Sequence, residues 1–334
     1  MKKYNVYGVG NALVDIEFEL TVPELEALGV AKGVMTLMDE QLQDRIVDQL
    51  GGLETNRGSG GSAANTIIAV SQFGGSAFYS GRVGDDEMGR FYVEDLKRAG
   101  VDTNISSGQM KQGITGKCLV FVTPDADRTM NTYLGASADV APEDVDLSVV
   151  EQSDYLYIEG YLVSGDSTRA AALHAIEQAR KSGTRVAFSL SDPNMVRFFR
   201  SQIDELIGGG VDLLFANEDE ATHMAVADNV DDAIQFMKTI AKRFVITRGA
   251  KGAVVYDGDS VINISPTKVK AVDTVGAGDM FAGAFIYGIT NGMNYEQAGN
   301  LAATASAELV ASFGPRLKSE HAKRLLDQFL SSQA

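Results

Sequence analysis

The segment Ala271-Val-Asp-Thr-Val-Gly-Ala-Gly-Asp279 runs directly into a stretch of apolar and small residues, Met280-Phe-Ala-Gly-Ala-Phe-Ile-Tyr-Gly288. Gly276 and Gly278 allow backbone conformations that are closed to other residues, and they let a ligand approach the main chain closely. The helix that follows would present unpaired N–H groups at the positive end of its dipole. The stretch therefore predicts an anion-binding turn at the start of a helix.

Asp279 is unusual in such a turn, because a carboxylate beside an anion site repels phosphate. One interpretation is an ordinary helix cap, a role that Ser or Thr would fill equally well. The other is a general base that has to lie beside a phosphoryl group. An isolated Gly-x-Gly-Asp is typical of the first, whereas the complete segment Asp273-Thr-Val-Gly-Ala-Gly-Asp279 is far more specific.

Composition limits the function classes. The chain has 334 residues, 45% of them hydrophobic and 22% charged, which is typical of a globular protein with a substantial core. Its formal net charge of -16, from 29 basic and 45 acidic residues, would repel nucleic acid or an anionic membrane. One Cys, Cys118, and three His make a disulfide framework or a zinc site improbable.

The N-terminal part argues against a dehydrogenase and against a membrane protein. Polar residues interrupt any apolar core of a signal peptide after Met1, and no run of about 18 apolar residues occurs, so we expect a cytoplasmic protein. A predicted strand at 4–9 ends in Gly8-Val-Gly-Asn11, without the third Gly and the helix of a dinucleotide-binding turn. The following segment 14–20 alternates apolar and acidic residues, which indicates a strand.

Two early polar clusters are candidate acceptor sites. Asn11 and Asp15 could hold vicinal hydroxyls, although turn Asn and solvated Asp residues are equally common. Gly58-Ser-Gly-Gly-Ser-Ala-Ala-Asn65 leads into a predicted helix, where Gly60 and Gly61 would let the backbone lie against a ligand. A purely structural glycine turn is the alternative for this second cluster.

The element pattern predicts an α/β protein of two units. From residue 154 strands and helices alternate, which indicates a mostly parallel sheet with helices on both faces and ligands beyond its carboxyl ends. The segments 14–20 and 34–37, with a hairpin over 115–134, predict a small all-β lid without helices between its strands. The expected division is 1–10, 57–110 and 138–334 for the large nucleotide-binding domain, with 12–38 and 112–136 for the lid.

The segment ending in Asp279 resembles the C-terminal signature of the ribokinase/PfkB family of sugar and nucleoside kinases, and Gly60-Gly61 with Asn65 resembles the N-terminal one. The resemblance spans nearly the whole chain and implies a ribokinase-like fold. It implies that Asp279 is the catalytic base and that Gly60, Gly61 and Asn65 contact the acceptor. The amides of Gly276, Ala277 and Gly278 would form the anion hole.

The resemblance also implies roles for residues on the nucleotide side, together with the cofactors ATP and Mg²⁺; a monovalent cation such as K⁺ stays open. Asn217 and Glu220 match the family's Asn-x-x-Glu motif, which is linked to magnesium and phosphate, although an acidic helix start is the alternative. Thr247 and Gly249 would lie near ATP. Asn300 occupies the position that borders the adenine pocket, although a helical Asn is usually a packing or surface residue.

Within the family the chain is most similar to the adenosine kinase-like branch, through Gly10–Asp15, Tyr157–Tyr161 and Phe188–Pro193. In that branch a lid Arg contacts phosphate, which implies a catalytic role for Arg128. The chain departs from the branch at Asp192 and Asn194, where nucleoside-specific members carry Ala and an aromatic residue that stacks on the base.

These features predict phosphoryl transfer from Mg-ATP to a hydroxymethyl group of adenosine or a related ribonucleoside. A kinase of a free or modified sugar is the main alternative, and a non-catalytic nucleotide or sugar sensor on the same fold is a second. A sensor has no need of a base, so Asp279 argues against it. The expected partner is a small-molecule acceptor, with no nucleic acid or membrane partner; monomer and homodimer both stay open.

Overall fold

The computed structural model describes residues 2–33, 35–106, 110, 112–124 and 128–333. The strands are β1 (Tyr4–Val9), β2 (Leu13–Glu19), β3 (Met35–Leu37), β4 (Glu54–Gly60), β5 (Ala77–Ser80), β6 (Asp102–Thr103), β7 (Gly116–Val122), β8 (Arg128–Tyr133), β9 (Ser153–Glu159), β10 (Arg185–Ser189), β11 (Leu213–Asn217), β12 (Phe244–Thr247), β13 (Ala253–Tyr256) and β14 (Val261–Ile264).

The α-helices connect or cover these strands. They are α1 (Val22–Ala27), α2 (Glu40–Leu50), α3 (Ser62–Gln72), α4 (Glu87–Arg98), α5 (Leu147–Glu151), α6 (Asp166–Ser182), α7 (Pro193–Phe198), α8 (Arg200–Ile207), α9 (Glu218–Ala225), α10 (Val230–Ile240), α11 (Ala277–Thr290), α12 (Tyr295–Val310) and α13 (Ser319–Gln333). Within the described residues, no helix is both long and apolar enough to cross a bilayer.

The larger sheet has the strand order β14-β13-β12-β11-β10-β9-β1-β5-β6. Its strands pair in parallel from β6 to β12, and β13 and β14 extend it as antiparallel strands. In β9, Tyr155 and Tyr157 pack into the apolar cluster on one face, and Leu156 and Ile158 into the cluster on the other. Because both faces are buried under helices, these strands are apolar almost throughout, as expected for a parallel sheet. The predicted α/β class is confirmed.

The smaller sheet has the order β3-β8-β7-β2-β4. It contains the strand segments that we predicted, but the short helix α1 lies between β2 and β3, so the expectation of no helices between its strands was wrong. The sheet also contains β4, which pairs antiparallel with β2 through Leu13 opposite Gly60 and Asp15 opposite Gly58. We had expected residues from 57 onward to belong to the large unit, so this boundary is corrected to the end of β4. The segment Glu54-Thr-Asn-Arg-Gly-Ser-Gly60 has no apolar alternation, which explains why no strand was predicted there.

Close packing of α3 against α11 brings the two signature segments together. A side chain at Gly283 of α11 would lie 2.5 Å from the Ala69 methyl group and 2.5 Å from the Thr66 carbonyl oxygen of α3. Glycine at this position therefore lets the two helices touch at backbone distance. The N-terminal turn of each helix faces the same space beyond the carboxyl ends of the parallel strands.

Candidate active site

A cavity of about 660 Å³ lies between the two sheets. Residues of β2, β3, β7 and β8 line it on the side of the smaller sheet. On the other side it is lined by the last residue of four neighbouring strands, namely Glu159 of β9, Ser189 of β10, Asn217 of β11 and Thr247 of β12. This is the carboxyl edge of the parallel sheet, where the fold was expected to bind its ligand.

Asp279 is the third residue of α11 and lies on the cavity wall. Its Oδ1 accepts a hydrogen bond from the Ser62 hydroxyl at 2.7 Å, and its Oδ2 accepts one from the Asn65 amide at 3.4 Å. Burial raises the pKa of Asp279 to about 6, against the opposing effect of these two hydrogen bonds. The carboxylate is therefore ionised at neutral pH and basic enough to accept a proton, which suits a general base.

The turn before Asp279 has the predicted helix-start geometry. Gly276 is the N-cap of α11 with φ 75°, in the left-handed region that favours glycine, and a side chain there would lie 2.6 Å from the Pro315 carbonyl oxygen. Gly276 and Gly278 both line the cavity. The N–H of Ala277, the middle residue of the expected anion hole, donates to the Thr274 carbonyl at a long 3.3 Å. The first N–H groups of a helix have no partner within the helix, so this turn can receive an anion.

The residues expected to bind the acceptor converge on the same space. Asn11, Asp15, Gly61 and Asn65 all line the cavity. Gly61 has φ 100°, and a side chain there would lie 2.0 Å from the Asn11 carbonyl oxygen; one at Gly60 would lie 2.2 Å from the Asp15 carboxylate. The glycine pair thus lets the chain at the end of β4 lie directly against Asn11 of the β1–β2 connection and Asp15 of β2. Gly60 contributes by this packing, since it does not itself line the cavity.

Asn217 and Glu220 form a capping box at the start of α9. The Asn217 side chain accepts the Glu220 N–H at 2.8 Å, and the Glu220 carboxylate accepts the main-chain and amide N–H groups of Asn217 at 2.9 and 2.7 Å. Both residues line the cavity, and burial raises the pKa of Glu220 to about 7. Among the described residues no group of three or more His, Cys, Asp and Glu side chains could hold a metal ion.

The predicted nucleotide-side residues are spread more widely. Thr247 lines the cavity, whereas Gly249 begins the short 3₁₀ turn after β12, and Asn300 lies in α12; neither of these two is among the lining residues. The side chain of Arg128 lies outside what the structure describes. The roles assigned to all four residues stay predictions.

Comparison with known proteins identifies the family. Residues 36–322 match the sequence profile described as the pfkB family of carbohydrate kinases. The chain belongs to the pfkB family of carbohydrate kinases. Among solved structures, this kinase is similar to a probable sugar kinase from Rhizobium etli, with a TM-score of 0.90 at 32% identity over 98% of this chain and 99% of that one. It is also similar to the adenosine kinase from Sinorhizobium meliloti, with a TM-score of 0.88 at 34% identity over 99% and 100% of the two chains.

Curated relatives of the kinase have several substrates in their names. The 5-dehydro-2-deoxygluconokinase of Geobacillus thermodenitrificans is 30% identical over 270 residues, or 76% of this chain and 78% of the relative. The adenosine kinase of Saccharomyces cerevisiae is 29% identical over 336 residues, or 93% and 96% of the two chains. The protein is thus a phosphotransferase with a ribokinase-like fold, and both adenosine kinases and sugar kinases are among its relatives.

The kinase holds a buried carboxylate that the sequence analysis did not assign. Glu159 is fully buried, and its two carboxylate oxygens accept the N–H groups of Asn11 and Ala63, each at 2.7 Å. Burial raises its pKa to about 7, while these two hydrogen bonds lower it. Glu159 connects the β1–β2 loop to the first turn of α3. An acid directly after the run Tyr155-Leu-Tyr-Ile158, at the carboxyl end of β9, was the sequence signal for it.

Two serines of the cavity wall were also missed. Ser62 donates to Asp279, and its place directly after Gly60-Gly61 was the available signal. Ser191 has φ 68°, an uncommon value for a residue with a side chain, and its hydroxyl accepts the Gly160 N–H at 2.8 Å. Backbone strain of this kind cannot be deduced from the sequence, and it is frequent at functional sites.

The cavity also has apolar and aromatic lining residues. They are Met35, Leu37, Met130, Leu134, Tyr161, Met195 and Phe199. Asp192 also lines it, but its carboxylate caps α7 by accepting the Asn194 N–H at 2.7 Å, and Asn194 itself is not a lining residue. Tyr161 and Phe199 therefore supply aromatic surface that the sequence comparison at 192 and 194 did not reveal.

Proposed function

We propose that this kinase transfers the γ-phosphate of ATP to the hydroxymethyl group of adenosine or a related ribonucleoside. The observation that carries the choice of acceptor is the mixed lining of the cavity. Asn11, Asp15 and Asn65 line it with polar groups, and Asn65 contacts Asp279, whereas other lining residues are apolar or aromatic. A ribose against the first set and a flat base against the second would match both kinds of surface.

The chemistry follows from the position of Asp279. Its carboxylate accepts the proton of the acceptor's primary hydroxyl as that oxygen attacks the γ-phosphorus, and the bond to the β-phosphate oxygen breaks to release ADP. The N–H groups of Gly276, Ala277 and Gly278 are proposed to stabilise the charge on the transferred phosphoryl group, at the positive end of α11. Phosphoryl transfer needs little else from the protein than positioning and electrostatic stabilisation.

Magnesium is proposed to enter with the nucleotide. Mg²⁺ usually keeps several waters and is bound by one or two carboxylates together with substrate phosphates. Glu220 fits this requirement, because its carboxyl group lies on the cavity wall and a nearby cation would favour its ionised form. Asn217 would hold that carboxylate in place through the capping box. When bound, the ion supplies charge neutralisation at the phosphates.

A kinase of a free or modified sugar is the second candidate. It is favoured by the likeness to the probable sugar kinase of Rhizobium etli and to the 5-dehydro-2-deoxygluconokinase of Geobacillus thermodenitrificans. A free sugar carries hydroxyls around its whole ring, however, and an apolar wall would leave several of them without hydrogen bonds, at about 1–3 kcal/mol for each buried group. The apolar and aromatic lining residues therefore favour the nucleoside.

ADP release across a panel of acceptors tests the proposal. The panel contains adenosine, the other common ribonucleosides, 2′-deoxyadenosine, ribose, fructose and 5-dehydro-2-deoxygluconate. We expect kcat/KM to be highest for a ribonucleoside, with 2′-deoxyadenosine poor because Asp15 would lose its hydroxyl partner. A free sugar that exceeds every nucleoside would overturn the nucleoside assignment. Binding without any ADP release would favour the sensor.

A further inference from the structure

Arg316 lies just after α12, and its side chain points into the protein between three separate elements. Its Nε donates to Oδ1 of Asn65 in α3 at 3.0 Å. Its two terminal nitrogens donate to Oδ2 of Asp95 in α4 and to the hydroxyl of Ser59 in β4, each at 3.1 Å. Only 16% of the side chain is exposed, and Arg316 is not among the residues that line the cavity.

The contact with Asn65 decides which end of its amide faces Asp279. A guanidinium group has only donors, so the group of Asn65 that meets Arg316 has to be the oxygen. The amide nitrogen then points the other way, toward Oδ2 of Asp279 at 3.4 Å. A rotated amide would put N–H against N–H at Arg316 and oxygen against the carboxylate at Asp279. Both contacts of the rotated form are repulsive.

The guanidinium is itself held in place. Asp95 forms an ion pair with Arg316. Its carboxylate also accepts hydrogen bonds from the main-chain N–H and the hydroxyl of Ser59, at 3.0 and 2.7 Å. Burial acts to raise the pKa of Asp95, but the hydrogen bonds from Ser59 and the charge of Arg316 lower it below its usual value. The guanidinium group is planar and rigid, and Asp95 and Ser59 hold its two terminal nitrogens. The direction of its Nε–H, which donates to Asn65, is therefore fixed.

The segment that carries Arg316 is also tied to the turn before Asp279. The N–H of Gly314 donates to Oδ2 of Asp273 at 2.8 Å, and Oδ1 of Asp273 accepts the N–H of Val275 at 3.0 Å. The backbone of Pro315 lies against Gly276. Arg316 is thus anchored to the same turn that starts α11, so its distance from the pair Asn65 and Asp279 is fixed by main-chain contacts.

We propose that Arg316 is a positioning residue for phosphoryl transfer, which holds the Asn65 amide with its N–H groups directed at Asp279 and the acceptor hydroxyl. It acts through Asn65 and does not touch the substrate. The inference rests on the proposed roles of Asp279 as base and Asn65 as acceptor ligand. It goes beyond them by assigning the orientation of Asn65 to a residue 251 positions away in the sequence.

A double-mutant cycle tests this role, with kcat and KM measured for adenosine and for ATP. We expect Arg316→Met to lower kcat/KM for adenosine by about 10- to 100-fold, as for loss of a hydrogen bond to a charged group, with KM for ATP unchanged. In the Asn65→Ala background the same change should have almost no further effect, because there is no amide left to orient. Arg98→Met is the matched control, since Arg98 also pairs with Asp95, through Oδ1, but from the exposed side of α4; it should retain normal kinetics.

An equal loss from Arg316→Met in both backgrounds, or a parallel rise in KM for ATP, would overturn the inference in favour of a purely structural role. If the Met variant does not fold, Arg316→Lys replaces it in the same cycle, since Lys keeps the charge but loses the fork. If Asp279 is not the base, the Asp279→Asn variant retains turnover. The double-mutant cycle still reports whether Arg316 acts through Asn65, so the two failures can be told apart. If the panel selects a sugar, that sugar replaces adenosine in the cycle.

Discussion

At the scale of single residues, Asp279 has to be ionised in order to accept a proton, although its surroundings disfavour the charge. It lies at the start of the helix that would receive a phosphate, and burial disfavours its charge. Two donors, Ser62 and Asn65, lower the cost of that charge by binding its two oxygens separately. The positive end of α11 acts in the same direction. The outcome is a carboxylate that is charged at neutral pH and still basic enough to take a proton.

Replacing this carboxylate tests its assigned role. We expect Asp279→Asn to lower kcat by about 10²- to 10⁴-fold, the usual contribution of a positioned general base, with folding and ATP binding nearly intact. The matched control is Asp166→Asn. Asp166 is also an acid in the first turn of a helix, but 95% of its side chain is exposed. Steady-state kinetics with thermal melting measure both. Near-normal turnover in Asp279→Asn would remove this residue from the role of base.

The pH dependence of activity follows from the raised pKa. Because only the ionised carboxylate can accept a proton, kcat/KM for the acceptor should fall as the pH drops through about 6, the value to which burial raises the pKa of Asp279. An Asp with an unperturbed pKa would place this limb at pH ~3.9. The profile is measured from pH 5 to 9 with saturating ATP.

Glu159 and Glu220, each with a pKa that burial raises to about 7, are the other acids near this range. A Glu220→Gln variant therefore serves as the comparison, and it should keep the limb near pH 6. Full activity of the unsubstituted kinase at pH 5 would contradict the assignment to Asp279.

The residues of the site differ in how readily the sequence reveals them. Asp279, Asn65 and the glycine pair stand in short segments whose composition is unusual by itself. Ser62 and Arg316 do not, because their importance comes from partners 217 and 251 positions away. Such contacts depend on tertiary packing, which a local pattern does not encode.

At the scale of elements, apolar periodicity determined what could be predicted. β9 has buried faces on both sides and was recognised as a strand from its composition. β4 has neither alternation nor an apolar run, and it forms because β2 offers it a row of pairing partners, interrupted by a shift of register between Glu17 and Phe18. The glycines of β4 indicate a loop when taken alone, but Gly60 is what permits the close approach to Asp15.

The contact of α3 with α11 gives a prediction at this scale. Gly283→Ala would place a methyl group 2.5 Å from both Ala69 and the Thr66 carbonyl, and overpacking of this kind costs about 1–3 kcal/mol. If the helices move apart, Asn65 and Asp279 separate, and a displacement near 1 Å can lower turnover by about 10²-fold. We therefore expect both the melting temperature and kcat to fall.

Gly299→Ala in α12 is the matched control for this effect. Its new methyl group would meet side-chain atoms of the buried Ile264 at 2.7 and 2.8 Å, at a contact with no residue of the cavity wall. It should change stability without changing kcat. A Gly283→Ala enzyme with normal kcat would show that the helix contact does not set the geometry of the site.

At the scale of the whole molecule, the candidate site belongs to neither sheet alone. Asp279 and Thr247 come from the unit built on the larger sheet, whereas Asp15, Cys118 and Thr132 come from the smaller sheet. A ligand that contacts both units stabilises each against local opening, because it binds only when both are in place. Sequence patterns indicated the two units, but their meeting at one cavity could be established only from the structure.

This coupling predicts a specific pattern of hydrogen exchange. An acceptor at about 100 times its Kd stabilises the form that binds it by ~2.7 kcal/mol. Amides that exchange with solvent only when the site opens should therefore exchange roughly 100-fold more slowly. We expect adenosine, or the acceptor selected by the panel, to protect amides of β2 and β7 in the smaller sheet as well as the start of α11. Asp15→Ala, which removes the carboxylate that β2 contributes to the cavity, should abolish the protection of the smaller sheet while protection by ATP near Thr247 persists.

Asp44→Ala is the matched control, since Asp44 pairs with Lys117 of β7 at 3.3 Å and does not line the cavity; it should leave both effects unchanged. Equal loss of the two protections in Asp15→Ala would mean that Asp15 maintains the fold, and unchanged protection would mean that the acceptor is held without it.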